Sequence, residues 1–190
     1  MPHRNIITGK SEDEVWKTIA EQLNNKKGDF DYTARLDTEK HSVTLDIDIN
    51  PDRGEENEKP VTAFSAQLSD ETTFRFNIKK QGLKHEIAKL FGMQDVVIGD
   101  AEFDKKFLIQ TNDVVKVKEL LSNAEVRAEL LKQPVVDFKI RERKIGVNVE
   151  IVLRLELEGG ITEPGALKNI FQPYKMVLNK LDTTARPPSP

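Results

Sequence analysis

Residues 134–160 read PVVDFKIRERKIGVNVEIVLRLELEGG, and their pattern predicts the centre of the fold. Pro134 ends any preceding helix, after which apolar residues alternate with polar ones in two runs. Val136, Phe138 and Ile140 share one parity, and a second run has the other: Val147, Val149, Ile151, Leu153, Leu155, Leu157. We predict an antiparallel hairpin that turns at Arg141–Lys144, with Phe138 opposite Val147. The second strand exceeds the usual 5 to 6 residues, which predicts a twisted or bent strand at the centre of a sheet.

The chain after this hairpin is predicted to form a helix. Gly159, Gly160, Thr162 and Pro164 end the strand and start the helix. One stripe at helical spacing then follows: Leu167, Ile170, Phe171, Tyr174, Val177, Leu178, Leu181. Pro173 lies inside this helix and is expected to kink it.

The first part of the chain is predicted to be a helix followed by four strands. Ser11 and Glu14 form a capping box before an apolar helical face. Alternating residues within 30–36 and 43–49 then predict a hairpin. Beyond a charged segment, residues 61–68 and 72–78 predict a second strand pair.

The middle of the chain is predicted to contain short helices. One spans Leu83 to Phe91 and ends at Gly92, and a strand at 95–98 follows. Asp113 caps the next helix, and Ser122 with Glu125 caps another.

These elements predict an α+β fold with a largely antiparallel sheet built from hairpins, an N-terminal helix, short middle helices and a C-terminal helix. We expect a flexible N-terminus at 1–10 and a single domain at 11–182. A seam between two lobes would fall near 92–100, and 183–190 is expected to be a disordered tail.

Composition excludes several kinds of protein. Among 190 residues there are 29 Lys and Arg, 32 Asp and Glu, and no cysteine. Thiol catalysis, disulfides and Cys-ligated metals are therefore excluded, and a net charge of −3 argues against a nucleic-acid partner. No apolar run is long enough to span a bilayer, so we expect a soluble cytoplasmic protein with no membrane partner. The familiar nucleotide, dinucleotide, esterase and metalloprotease motifs are absent, and we expect no cofactor.

The first hairpin is strongly acidic. If its apolar residues face the core, Asp31, Asp46 and Asp48 point outward, and Asp31 lies opposite Asp46 or Asp48. A divalent cation held by these residues, with Asp29 as a further ligand, would relieve the repulsion between them. The EF-hand pattern fails, because Pro51 occupies the position of its glycine. The alternative is a solvated acidic strand that keeps the sheet edge soluble.

The predicted tip of the later hairpin is basic. Arg141, Arg143 and Lys144 could contact phosphates, although Glu142 lies among them and no aromatic residue is placed for base stacking. A solvated surface of mixed charge explains the same pattern.

The segment 99–107, GDAEFDKKF, has two phenylalanines and two aspartates at helical spacing. Asp100 and Asp104 could form a pair of carboxylates for acid–base chemistry. In the alternative, two buried phenylalanines anchor a turn, Asp100 caps it and Asp104 binds backbone amides.

This segment resembles one in uncharacterised bacterial domain-of-unknown-function proteins. The shared pattern is G-D-x-x-F-D-x-x-F at Gly99–Phe107, followed by Leu120–Leu121 and Arg127 to Leu131, and the resemblance covers about residues 95 to 181. It implies a bacterial α+β module with this segment as a strand, and no activity. Some similar proteins carry membrane-spanning segments, which this chain lacks.

Our leading hypothesis is a non-enzymatic binding or protein-interaction module, because the apolar pattern fills a core and no catalytic set converges. Its partner would be another protein or a second copy. The alternatives are a cation-binding protein or hydrolase using Asp31, Asp46 and Asp48, and weak nucleic-acid or phosphate binding through Arg141–Lys144.

Overall fold

The structure is a computed structural model, and it describes residues 5–8, 11–25, 31–37, 41–49, 59–82 and 92–185. Its strands are β1 (Asn5–Thr8), β2 (Tyr32–Asp37), β3 (Ser42–Asp48), β4 (Val61–Gln67), β5 (Phe76–Lys80), β6 (Gln94–Val96), β7 (Phe107–Thr111), β8 (Val135–Ile145) and β9 (Asn148–Glu158). Its helices are α1 (Glu12–Asn25), α2 (Ala101–Lys106), α3 (Val114–Leu120), α4 (Ala124–Lys132) and α5 (Pro164–Ala185). The predicted helix at 83–91 and Asp29 lie outside the described residues.

The described strands form one sheet in the order β1-β2-β3-β4-β9-β8-β5-β7-β6. All neighbours are antiparallel except β1 and β2, so the predicted α+β class with a largely antiparallel sheet is confirmed. The predicted long strand is β9, and it lies near the middle of the sheet between β4 and β8. Asn5–Thr8, which we expected in a flexible terminus, form the edge strand β1.

Two predicted pairings are wrong. β4 does not pair with β5, because the longer strands β9 and β8 lie between them and pair with each. In the β8–β9 hairpin, Phe138 lies opposite Leu155 rather than Val147, and Arg141–Lys144 belong to β8 rather than to the turn. The turn lies between Ile145 and Asn148, where Gly146 has a positive φ of 61° that residues with a Cβ seldom adopt.

The core lies between the described helices and one face of the sheet. Tyr174 of α5 is fully buried, and its ring lies 5.8 Å from Phe64 of β4 and 6.1 Å from Phe138 of β8. Its hydroxyl donates a hydrogen bond to the Leu153 carbonyl, at 3.1 Å. α1 joins the same core through Trp16, whose ring lies 5.5 Å from Phe171. The expected stripe of α5 is therefore the face that packs on the sheet.

The helix caps match the sequence at two positions and differ at one. Ser11 Oγ accepts a hydrogen bond from Glu14 N, and Asp113 accepts one from Lys116 N. Asn123, rather than Ser122, caps α4, since the Ser122 hydroxyl donates to the Glu119 carbonyl of the preceding helix.

Candidate functional site

The segment 99–107 has the structural role that we gave as the alternative to a catalytic one. Asp100 caps α2 by accepting a hydrogen bond from Phe103 N at 3.2 Å. The two carboxylate oxygens of Asp104 accept from Ile98 N at 3.0 Å and from Gly99 N at 2.9 Å. Phe103 and Phe107 are buried with their rings 4.8 Å apart, but Phe107 begins β7 rather than continuing the helix.

Arg127 of α4 completes this segment. Its Nε donates to Asp100 Oδ2 at 2.8 Å, and its Nη1 donates to the Leu121 and Ser122 carbonyls at 2.6 and 3.1 Å. The hydrogen bond from Arg127, followed by that from Phe103 N, lowers the pKa of Asp100 below its ordinary value of 3.8. Asp100 thus joins α2 to α4, Asp104 fixes the turn that precedes α2, and the G-D-x-x-F-D-x-x-F pattern has a structural explanation.

The acidic residues of the first hairpin lie on β3 and directly before β2. Asp46 pairs with Thr33 on one side and Ala63 on the other, and Asp48 pairs with Val61. Extending the β2–β3 register by one residue places Asp31 opposite Asp48, as one of the two predicted registers has it. Within the described part of the chain, no group of three or more His, Asp or Glu side chains is arranged to hold a metal ion. The cation site at Asp31, Asp46 and Asp48 stays a prediction.

The sheet face opposite the core carries charged pairs at its centre; we call it the open face. Arg154 of β9 donates to Glu156 at 3.1 Å and to Ser65 of β4 at 3.2 Å. Lys139 of β8 pairs with Asp137, and burial raises the pKa of that carboxyl despite the lysine beside it. These charged side chains are paired with one another, so the centre of the open face offers little unpaired charge to a ligand.

The outer half of the β8–β9 hairpin extends beyond the sheet. β5 pairs with β8 only as far as Lys139, and β4 pairs with β9 only as far as Val152, with one further backbone hydrogen bond from Leu68 N to the Ile151 carbonyl. Within the described residues, the strand segments 141–145 and 148–150 therefore pair with each other alone. We call residues 141–150 the arm.

The end of the arm is apolar and exposed. Val147 in the turn is 99% exposed, and Ile145 and Val149 beside it are 49% and 47% exposed. Only two other large apolar side chains of the described chain are exposed, Val97 and Val115, and they lie elsewhere. Such clustering marks a contact surface more often than scattered single residues do.

The basic residues of the arm lie behind this tip. Arg141 and Lys144 are exposed, whereas Arg143 donates to Glu150 across the hairpin at 2.7 Å. The expected basic tip is thus corrected to an apolar tip with basic residues at its base. Sequence reasoning missed the apolar tip because it placed the turn four residues too early; Gly146 followed by Val147-Asn148 was the signal that could have found it.

Comparison with known proteins finds a similar fold but no family. No protein-family model and no curated protein matches this chain. A crystal structure of the mycobacterial trehalose monomycolate transport factor A, TtfA, matches with a TM-score of 0.52 and 11% identity, over 92% of this chain and 96% of that chain. At this identity the similarity concerns the fold alone. No helix in the described residues has the length and apolarity to cross a membrane.

Proposed function

We propose that this protein is a non-enzymatic binding module that contacts its partner through the arm. The observation that carries the proposal is the cluster of Ile145, Val147 and Val149 at the end of a hairpin that protrudes past its neighbouring strands. Keeping three aliphatic side chains in water opposes solubility, and burial against a partner would remove that cost. The cytoplasm is the compartment that we propose.

The engagement of the other candidate groups supports a binding role over a catalytic one. Asp100 and Asp104 bind Arg127 and backbone amides, and the charged residues at the centre of the open face pair with one another. A general acid or base needs a free position beside a reacting group. In this proposal the fold, which is similar to that of TtfA, is the scaffold, and the arm is the surface that contacts the partner.

Site-directed photocrosslinking tests the proposal. Because the chain has no cysteine, Val147→Cys creates a single attachment point for a benzophenone crosslinker. Val115→Cys is the matched control, since Val115 is 75% exposed and lies on α3 rather than on the arm. In extract of the source cells that retains its membranes we expect a discrete crosslinked product, with protein or lipid, at position 147 and none at 115.

The crosslinking result can also contradict the proposal. Equal labelling at positions 147 and 115, or none at 147 over the full range of protein concentration, would show that the tip meets nothing specific. Near-ultraviolet circular dichroism of both variants confirms that each retains the native fold before crosslinking.

A further inference from the structure

We infer that the arm binds the surface of an anionic lipid bilayer, with its apolar tip inserted at the level of the headgroups. This inference rests on the proposed function, because it names the partner of the same arm. The sequence led us to expect no membrane partner because no segment could span a bilayer. A contact with the bilayer surface needs no spanning segment, so it does not conflict with that observation.

The apolar side chains surround the tip instead of lining one side of it. Ile145 has the parity of Lys139 and Arg141 on β8, which point to the open face, whereas Val149 has the parity of Ile151 and Leu153, which point to the core side. Val147 occupies the turn between them. A groove on a partner protein would cover one face of a ribbon, but a bilayer interface surrounds whatever is inserted.

The basic residues also occur on both faces of the arm, Lys144 beside the tip and Arg141 three residues further from it. Lys144 lies on the core-side face and Arg141 on the open face, and both are exposed. Lys144 lies about two residues from the end of the arm, which at about 3.3 Å per residue is roughly 7 Å. Interfacial apolar surfaces insert to a depth of about 5–10 Å. The lysine ammonium group would therefore lie at the level of the lipid phosphates.

The acidic residues of the arm leave a net positive charge. Glu150 is paired with Arg143 at 2.7 Å, so one acidic residue, Glu142, remains against two cations, Arg141 and Lys144. Each cation near an anionic leaflet strengthens binding about fivefold. The net positive charge and the apolar tip of the arm thus both favour an anionic bilayer as the partner.

A second copy of this chain fits the tip less well. The exposed apolar surface amounts to about two aliphatic side chains, roughly 200 Å² in all, so two tips in contact would bury well below the roughly 1,200 Å² of a stable interface. The other exposed large apolar side chains of the described residues, Val97 and Val115, lie apart from the tip and would add nothing to such a contact.

The experiment uses the full chain labelled with an environment-sensitive dye at Val147→Cys, with Val115→Cys as the control. Vesicles of phosphatidylcholine alone are compared with an equimolar mixture of phosphatidylcholine and phosphatidylglycerol. We expect a blue shift and quenching by nitroxide-labelled lipid at position 147 in the anionic vesicles only, and neither signal at position 115.

Two further variants separate the contribution of the cations from that of the apolar tip. Vesicle sedimentation measures the binding of each variant. Arg141→Gln with Lys144→Gln removes two cations, which we expect to weaken binding about thirtyfold. Ile145→Ser with Val147→Ser should weaken it by at least about tenfold. Val97→Ser with Val115→Ser should leave it unchanged.

Lack of binding to anionic vesicles at millimolar lipid, or binding indifferent to the tip variant, would overturn the inference. Inorganic phosphate and duplex DNA are also added as competitors. If either displaces the protein from the vesicles at a phosphate concentration equal to that of the lipid, the inference is overturned, because the cations alone then recognise phosphate. If lipid binding fails while the photocrosslink at position 147 persists, the binding module stands and its partner is a protein.

Discussion

Arg127 Nε lies 2.8 Å from Asp100 Oδ2, and this ion pair joins the start of α2 to α4. The same guanidinium group reaches the Leu121 and Ser122 carbonyls where the chain passes from α3 to α4. One side chain therefore connects three helices, so the most distinctive motif of the sequence is part of the scaffold.

Arg127→Ala should lower the melting temperature by several degrees, because the Leu121 and Ser122 carbonyls and Asp100 Oδ2 lose the donor that Arg127 provides. Asp100→Asn should have a smaller effect, since an asparagine still caps α2. Scanning calorimetry of both single variants and of the double variant checks this prediction. Strictly additive losses would contradict the direct pairing of the two residues.

Truncation in the core should be costly. We expect Phe138→Ala to reduce the free energy of unfolding by about 3–5 kcal/mol and Leu153→Ala by about 2–5 kcal/mol. Both side chains are fully buried, and the Phe138 ring lies 5.5 Å from Phe76. Urea unfolding measures these values, with exposed Val115→Ser as a control that should change by less than about 0.5 kcal/mol. Losses below about 1 kcal/mol at both core positions would contradict the assigned faces of the hairpin.

Both tyrosines should resist ionisation in the folded protein. Burial raises the pKa of Tyr32 to about 12 and that of fully buried Tyr174 well above its ordinary value of 10.0. Because the pKa values are higher in the folded state than in the unfolded state, their contribution to stability is complete below pH 10 and is lost as the pH rises above it. Absorbance at the tyrosinate band should stay nearly flat through pH 10 and rise only at higher pH, as Tyr32 titrates near pH 12 or the protein unfolds. A reversible native-state titration near pH 10 would refute this.

Divalent cations distinguish the proposed function from the acidic-site alternative. If the arm is the binding surface, Ca²⁺, Mg²⁺ and Mn²⁺ should change the melting temperature of wild type and of Asp46→Asn equally little, relative to EDTA. Thermal-shift assays at several cation concentrations provide the measurement. A cation-specific stabilisation lost in Asp46→Asn and Asp48→Asn would instead establish the predicted site.

The sequence was most informative where chemistry is local. The capping box at Ser11, the cap at Asp100 and the amide-binding role of Asp104 follow from residue types and spacing alone. The register of β8 and β9 does not, because a shift by an even number of residues leaves every side chain on the same face and alternation cannot detect it.

The candidate site depended on that register. Once the turn is placed at Gly146, the basic residues lie within a strand and the apolar residues lie at the tip. The adjacency of β5 to β8 and of β4 to β9 was likewise hidden, because distant segments pair through the tertiary structure and leave no spacing signal.

The most direct test of the account is a quantitative affinity capture from source-cell extract, including its membranes, with three forms of the full chain. These are wild type, Ile145→Ser with Val147→Ser, and Val97→Ser with Val115→Ser. We predict that at least one protein or lipid component is retained by wild type and the Val97/Val115 variant and lost with the arm variant. Identical profiles for all three, with native stability in each, would contradict the claim that the arm is the binding surface.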